Sequence, residues 1–295
     1  MMNKQERPVI HVGFPKAASS FLQEVIFPRI SGYTYINNPD IHTVMGTTYH
    51  QNISENFLLF QLGNSNYIYS NEGILNYCEH WSDRSLNNYE REISISNLIR
   101  IFRDYGLIII VIRRQDQIIE SLFKHKVAKF AGHSNRIFID YPINMKHNSA
   151  QLHSRRGIYS TDAFDYYKWI MRIANQLGKQ RVKILLYEDL VFQPEKFFNQ
   201  LADIFHDKSV ADLIRLKETR FNVSPTSSMV LPRLPKAIRW ARPMAKPLLD
   251  WAKKVSVREI YLHKDFKANL LGLYTYSNSL LADEFSLALE EYGYF

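Results

Sequence analysis

The sequence predicts an α/β fold: a doubly wound central parallel sheet flanked by helices, with a mainly helical C-terminal portion. Three observations lead there. Leu107-Ile108-Ile109-Ile110-Val111-Ile112 is an apolar run without polar interruption, as expected of a strand buried on both faces at the centre of a parallel sheet. Val9-Ile10-His11-Val12-Gly13 and Val182-Lys183-Ile184-Leu185-Leu186-Tyr187 are two further strand runs. Each of the three is followed by residues at helical spacing, and strands alternating with helices give parallel crossovers.

Taken in order, the first run ends in Gly13-Phe14-Pro15, passes through small and hydroxyl residues, and continues into Phe21-Leu22 and Val25-Ile26. This is strand, tight loop, helix. Tyr67-Ile68-Tyr69-Ser70-Asn71-Glu72-Gly73 reads as a strand ending in a loop. After the central run come Arg113-Arg114-Gln115-Asp116, and then Ile118, Ser121, Leu122 and His125 at helical intervals. Phe164, Tyr167, Met171, Ala174 and Leu177 mark another helix, with Thr161 or Asp162 as N-cap and Gly178 as its stop. Phe197, Leu201, Ile204 and Phe205 line a face of the next. From Leu231 onward Pro232, Pro235, Pro243 and Pro247 alternate with Arg, Lys and Trp residues such as Arg233, Trp240 and Trp251. Residues 230–262 are therefore expected to form a basic, proline-containing helical excursion or lid, either solvated or facing an anionic membrane. Neither repeats nor low-complexity tracts interrupt the chain, and residues 1–295 are expected to form one domain.

Composition narrows the function classes. The 295 residues are 46% hydrophobic, 14% aromatic and 22% charged, which excludes a disordered, collagen-like or disulfide-scaffold protein. Lys and Arg exceed Asp and Glu by 37 − 29 = +8, an excess that favours an anionic partner. The single cysteine, Cys78, excludes an intrachain disulfide and a CxxC metal site, and is expected to be a buried thiol in a reducing compartment. Residues 1–8 lack the apolar stretch of a signal peptide, and no apolar run reaches the ~18 residues needed to span a bilayer. A cytoplasmic location is expected.

The loop Gly13-Phe14-Pro15-Lys16-Ala17-Ala18-Ser19-Ser20-Phe21 has the chemistry of a phosphate cradle. Small residues entering a helix expose backbone N–H groups at the positive end of its dipole. Lys16 adds a cation, and Ser19 and Ser20 add hydroxyl donors. It is not a Walker A loop, because Pro15 stands where Gly would precede the Lys. A Mg-ATP kinase is thereby disfavoured.

Pro15-Lys16-Ala17-Ala18-Ser19-Ser20-Phe21 resembles the 5′-phosphosulfate loop of sulfotransferases that use 3′-phosphoadenosine 5′-phosphosulfate (PAPS). In that family an Arg at the end of a central strand and a Ser eight residues later bind the 3′-phosphate, and Arg113 and Ser121 stand at that spacing. The guanidinium offers a bidentate fork, and Ser121 follows about two helical turns on, on the same face. Arg114 is expected to point elsewhere. Tyr187-Glu188-Asp189-Leu190 with Gln193-Pro194-Glu195 is similar to another family segment, read as structural, with Glu188 or Asp189 ordering the loop after the strand. Tyr276-Ser277-Asn278-Ser279-Leu280-Leu281 and Tyr292-Gly293-Tyr294 resemble the ends of bacterial-type members. Ala18 departs from the commoner Gly; a negative φ there is expected to tolerate the methyl.

The resemblance implies sulfuryl transfer from PAPS to a hydroxyl of a glycan, glycolipid or small molecule. Lys16 would stabilise the departing 5′-phosphate, with Ser19, Ser20, Phe21 and the amides of Ala17 and Ala18 holding its oxygens. No metal is implied, and no His/Cys/carboxylate cluster has ligand spacing. Glu72, at a strand end where α/β folds bind ligands, is the candidate base, with His42, His50 and His125 as rivals. His11, within the first strand, is expected to be buried. Asn222 and Ser224, in the polar segment after residue 215, are further candidates for the nucleotide. The acceptor pocket would be assembled from residues 38–66, 128–160 and 229–262, where aromatics such as Tyr49, Phe57, Phe130, Tyr141 and Tyr159 could stack on a sugar or lipid. The competing reading is a non-catalytic polyanion- or membrane-binding protein, drawn from the net charge and from Arg233 to Lys254; nucleic acid is not expected as a partner.

Overall fold

A computed structural model describes residues 8–36, 66–75, 88–103, 106–121, 151–154, 157–160, 164–217 and 264–295. Five strands form one all-parallel sheet: β1 (Val9–His11), β2 (Thr34–Ile36), β3 (Tyr67–Ser70), β4 (Leu107–Ile112) and β7 (Val182–Leu186), in the order β2-β3-β1-β4-β7. A hairpin of β5 (Gln151–Ser154) and β6 (Gly157–Ser160) stands apart from it, with Gln151 opposite Ser160; the sequence reading did not foresee this pair.

The uninterrupted apolar run of β4 is explained by its place between β1 and β7, where all six side chains are buried. Alternate residues serve opposite faces. Ile108, Ile110 and Ile112 join the core formed with α2 (Asn88–Phe102), α3 (Tyr166–Leu177) and α6 (Lys264–Phe285). Leu107, Ile109 and Val111 join the core formed with the helical stretch from α1 (Ser19–Phe21) to Phe27 and with α5 (Pro194–Phe205). Each fully buried Ile or Leu contributes about 1.5–3 kcal/mol relative to exposure, so two-sided burial makes β4 the anchor of the fold.

Local chemistry sets the element ends. Asp165, not Thr161 or Asp162, is the N-cap of α3: its carboxylate accepts from the Lys168 N–H at 3.2 Å, and Phe164 precedes the helix. Thr161 and Asp162 lie outside the described residues. The buried face is Tyr166, Trp169, Ile170, Ile173, Ala174 and Leu177, with Tyr167 and Met171 only half-buried, so the stripe on the core lies to one side of the predicted one. Gly178 ends α3 at φ 91, as expected of a glycine stop. Tyr187 leaves β7 and opens α4 (Tyr187–Phe192), so Glu188 and Asp189 sit in a helical turn, not in a loop. Pro194 opens α5 from its first position, where its missing N–H costs nothing.

Candidate nucleotide site at the carboxyl ends of β1 and β4

In this topology β1 leads away to β2 on one side while β4 leads to β7 on the other. Adjacent strands whose connections diverge leave a crevice at their carboxyl ends, the place where open α/β sheets bind ligands. The loop 13–18 follows β1 and Arg113 follows β4, so the two segments singled out in the sequence flank that crevice.

The loop first continues the β1–β4 pairing, with Phe14 N–H donating to the Val111 carbonyl and Val111 N–H to the Gly13 carbonyl, both at 2.8 Å. It then turns sharply. Lys16 (φ 65) and Ala18 (φ 68) are left-handed, and Ala17 between them is not. The negative φ expected for Ala18 is therefore incorrect: the turn needs a left-handed residue, and Ala accepts it at a cost of about 1–2 kcal/mol. Alternation of handedness aims successive N–H groups into one concavity, an anion nest. Among the described residues no acceptor meets the amides of Ala17, Ala18 and Ser19, while the Ser19 hydroxyl donates to the Phe14 carbonyl at 3.1 Å and braces the loop. Ala17 and Phe21 are buried in the second core; Lys16 and Ser20 are half-buried at the rim.

Arg113 reaches this loop. Its Nη1 donates to the Lys16 carbonyl at 3.1 Å, its Nε to Gln117 Oε1 at 3.3 Å, and its guanidinium lies 4.3 Å from the centre of the Tyr187 ring. Residues 115–121 are helical, so Gln117 and Ser121 lie one turn apart on the face under Arg113. Arg114 is turned the other way. Its Nε and Nη2 grip Asp116 at 2.7 and 3.1 Å, and Nη1 donates to the Tyr292 carbonyl at 3.2 Å. The hydrogen bond to Asp116 holds the Arg114 guanidinium still more firmly protonated. No carboxylate among the described residues pairs with Arg113 in this way.

Glu72 opens a 3-10 turn, Glu72–Ile74, after β3. A Cβ on Gly13 would meet the Glu72 carbonyl oxygen and the Leu75 Cβ at 3.4 Å, so the Glu72 backbone borders the loop. His11 is fully buried, as expected; it shares a 2.7 Å hydrogen bond with Ser70 Oγ, which also accepts from Gln23 at 3.0 Å. Burial pushes its pKa down to about 3. His42, His50, Cys78, His125, Asn222, Ser224, the basic segment 230–262, and Tyr49, Phe57, Phe130 and Tyr141 lie outside the described residues, as does the side chain of Tyr159. Among the described residues no group of three His, Cys, Asp or Glu is placed to hold a metal, and no helix is long and apolar enough to cross a membrane.

Sequence reasoning missed Tyr187, Gln117 and Tyr166 as parts of this site. Tyr187 belongs to a segment whose sequence reads as structural, yet its ring supports Arg113. The phenol of Tyr166 donates to the Arg113 carbonyl at 2.5 Å, and its ring packs on Phe14 at 4.6 Å. The apolar pattern of α3 hides that polar duty.

No protein-family model matches the chain, and no curated protein matches it. Two solved structures are similar to it. One is a sulfotransferase from Alicyclobacillus acidocaldarius, at TM-score 0.44 and 12% identity, over 85% of this chain and 96% of that one. Another is mouse sulfotransferase SULT7A1 complexed with PAP, at TM-score 0.38 and 12% identity, over 90% of this chain and 88% of that one.

Proposed function

We propose that the chain is a PAPS-dependent sulfotransferase, a single-domain cytoplasmic enzyme acting on a hydroxyl of a glycan, glycolipid or small molecule. One observation carries the reading: an amide-lined nest after β1 and an arginine after β4, joined at 3.1 Å across the sheet's switch point. That pairing suits a nucleotide with phosphates at both ends of its ribose. The amides of Ala17, Ala18 and Ser19, with Ser20, hold the 5′-phosphosulfate, and Phe21 fixes the loop from the core. Arg113, steadied by Tyr187 and Gln117, takes the 3′-phosphate together with Ser121; Asn222 and Ser224 complete the set.

Sulfuryl transfer asks the protein for alignment and charge stabilisation. The sulfur–oxygen bond to the 5′-phosphate breaks as one to the acceptor oxygen forms, and 3′-phosphoadenosine 5′-phosphate (PAP) leaves. Lys16 stabilises the charge developing on the departing phosphate, and Glu72 accepts the acceptor's proton. Neither role draws on a metal.

Calorimetry in EDTA with PAP and with adenosine 5′-phosphate, which lacks the 3′-phosphate, tests the reading. Saturable PAP binding, at least about tenfold tighter than that of adenosine 5′-phosphate, is expected, about 1.4 kcal/mol for the extra phosphate. Absence of PAP binding overturns it in favour of a polyanion-binding protein.

A further inference from the structure

Two adjacent arginines leave β4, and the structure turns them in opposite directions. The peptide group between them is held at both of its polar ends. Its carbonyl, on Arg113, accepts from Tyr166 Oη at 2.5 Å. Its N–H, on Arg114, donates to Glu188 Oε1 at 3.0 Å. The second carboxylate oxygen of Glu188 accepts from Tyr294 Oη at 2.9 Å, across 106 residues of sequence. Tyr166, Glu188 and Tyr294 are all buried, at 0%, 2% and 0% exposure, so water does not compete for these bonds. Rotation of this peptide would carry both side chains with it. The segment holding Tyr294 also receives Arg114 on the Tyr292 carbonyl and is itself pinned by Asn278, whose Nδ2 donates to the Tyr294 carbonyl at 2.9 Å.

We propose that Tyr166, Glu188 and Tyr294 are positioning residues for Arg113: together they lock the Arg113–Arg114 peptide so that Arg113, and not its neighbour, faces the phosphate loop. The inference rests on the sulfotransferase reading and assigns to the segment around Tyr294 a part in recognising the 3′-phosphate, although it touches no nucleotide itself. Burial and the nearby Glu188 carboxylate raise the Tyr294 phenol well above its ordinary range, which keeps it a donor at all working pH values.

Tyr294→Phe and Tyr166→Phe each delete one hydroxyl and keep the ring. The quantity read is the ratio of dissociation constants for adenosine 5′-phosphate and PAP, which isolates the 3′-phosphate. In each variant this ratio is expected to fall about fivefold or more while adenosine 5′-phosphate affinity stays within about twofold, and in an Arg113→Ala background neither hydroxyl should matter further. A wild-type ratio in folded variants, an equal loss of both nucleotides, or a loss that persists without Arg113 overturns the proposal. Should Tyr294→Phe fail to fold, the ratio for Tyr166→Phe decides. A wild-type chain that binds PAP no better than adenosine 5′-phosphate overturns the sulfotransferase reading itself, a distinct result.

Discussion

Replacing His11 by Asn should flatten the acid side of the stability profile. The imidazole is fully buried beside Ser70 and Phe27, and its Nε2 has no hydrogen-bond partner among the described residues. A proton there would place an unsolvated charge and an unmatched N–H in the core. Burial accordingly lowers the pKa from 6.5 to about 3. The unfolded chain takes up a proton below pH 6.5 while the native state resists until about pH 3. Stability is thus complete above pH 6.5 and declines as pH falls through that window, at up to about 1.4 kcal/mol per pH unit. Between pH 7 and pH 5 this one residue should remove about 2 kcal/mol. With an m-value of about 3–4 kcal/mol/M in urea, the midpoint falls by about 0.5 M more in wild type than in His11→Asn over that interval. Urea titrations at the two pH values measure it. Equal pH dependence in the two proteins would refute the argument, whatever the absolute cost of the substitution.

Two substitutions in the loop should differ in sign. Ala18→Gly relieves about 1–2 kcal/mol of left-handed strain against an entropy cost of about 0.5–1 kcal/mol, and so should be neutral to stabilising in urea titration. Ala17→Gly, buried and not left-handed, should lose about 1–2 kcal/mol; a matching loss at Ala18 would contradict the loop conformation. Glu72→Gln should leave PAP affinity within about twofold while lowering sulfuryl turnover by about 10²-fold or more, and unchanged turnover would remove Glu72 from the proton path. Trp169→Ala, at 0% exposure against the first core, should cost about 3–5 kcal/mol, and a loss below 1 kcal/mol would mean that α3 packs less tightly than described.

Much of the architecture was legible because its signals are local. Leu107–Ile112 lacks a polar face because both faces are covered, and a short window of sequence suffices to see that. Gly178 stops α3 through its own φ. The 13–18 loop stands out by residue type and Arg113 by its resemblance to the family's strand-end Arg eight residues before a Ser, and the topology brings them together. What escaped is non-local or conformational. The resemblance already singles out Arg113 over Arg114, but Tyr166, Glu188 and Tyr294, whose hydrogen bonds hold the peptide between the two arginines, lie far apart in the chain and give no local signal. Ala18 hides its left-handed backbone behind a side chain that gives no hint of it. Asp165 and Asp162 are equally good caps by composition, and the N–H that Asp165 meets is known only once the helix start is known. The buried amide pair of Gln115 and Asn278, with Gln115 Nε2 donating to Asn278 Oδ1 at 2.7 Å, joins the arginine segment to α6 without any sequence signature of the pairing.

The role of Arg113 in holding the nucleotide is measured by calorimetric titration of PAP into wild type and Arg113→Ala, in EDTA and with thermal unfolding as the check on folding. Metal-independent binding is expected that weakens at least tenfold in the variant, about 1.4 kcal/mol or more. Equal affinity in the two folded proteins would contradict it.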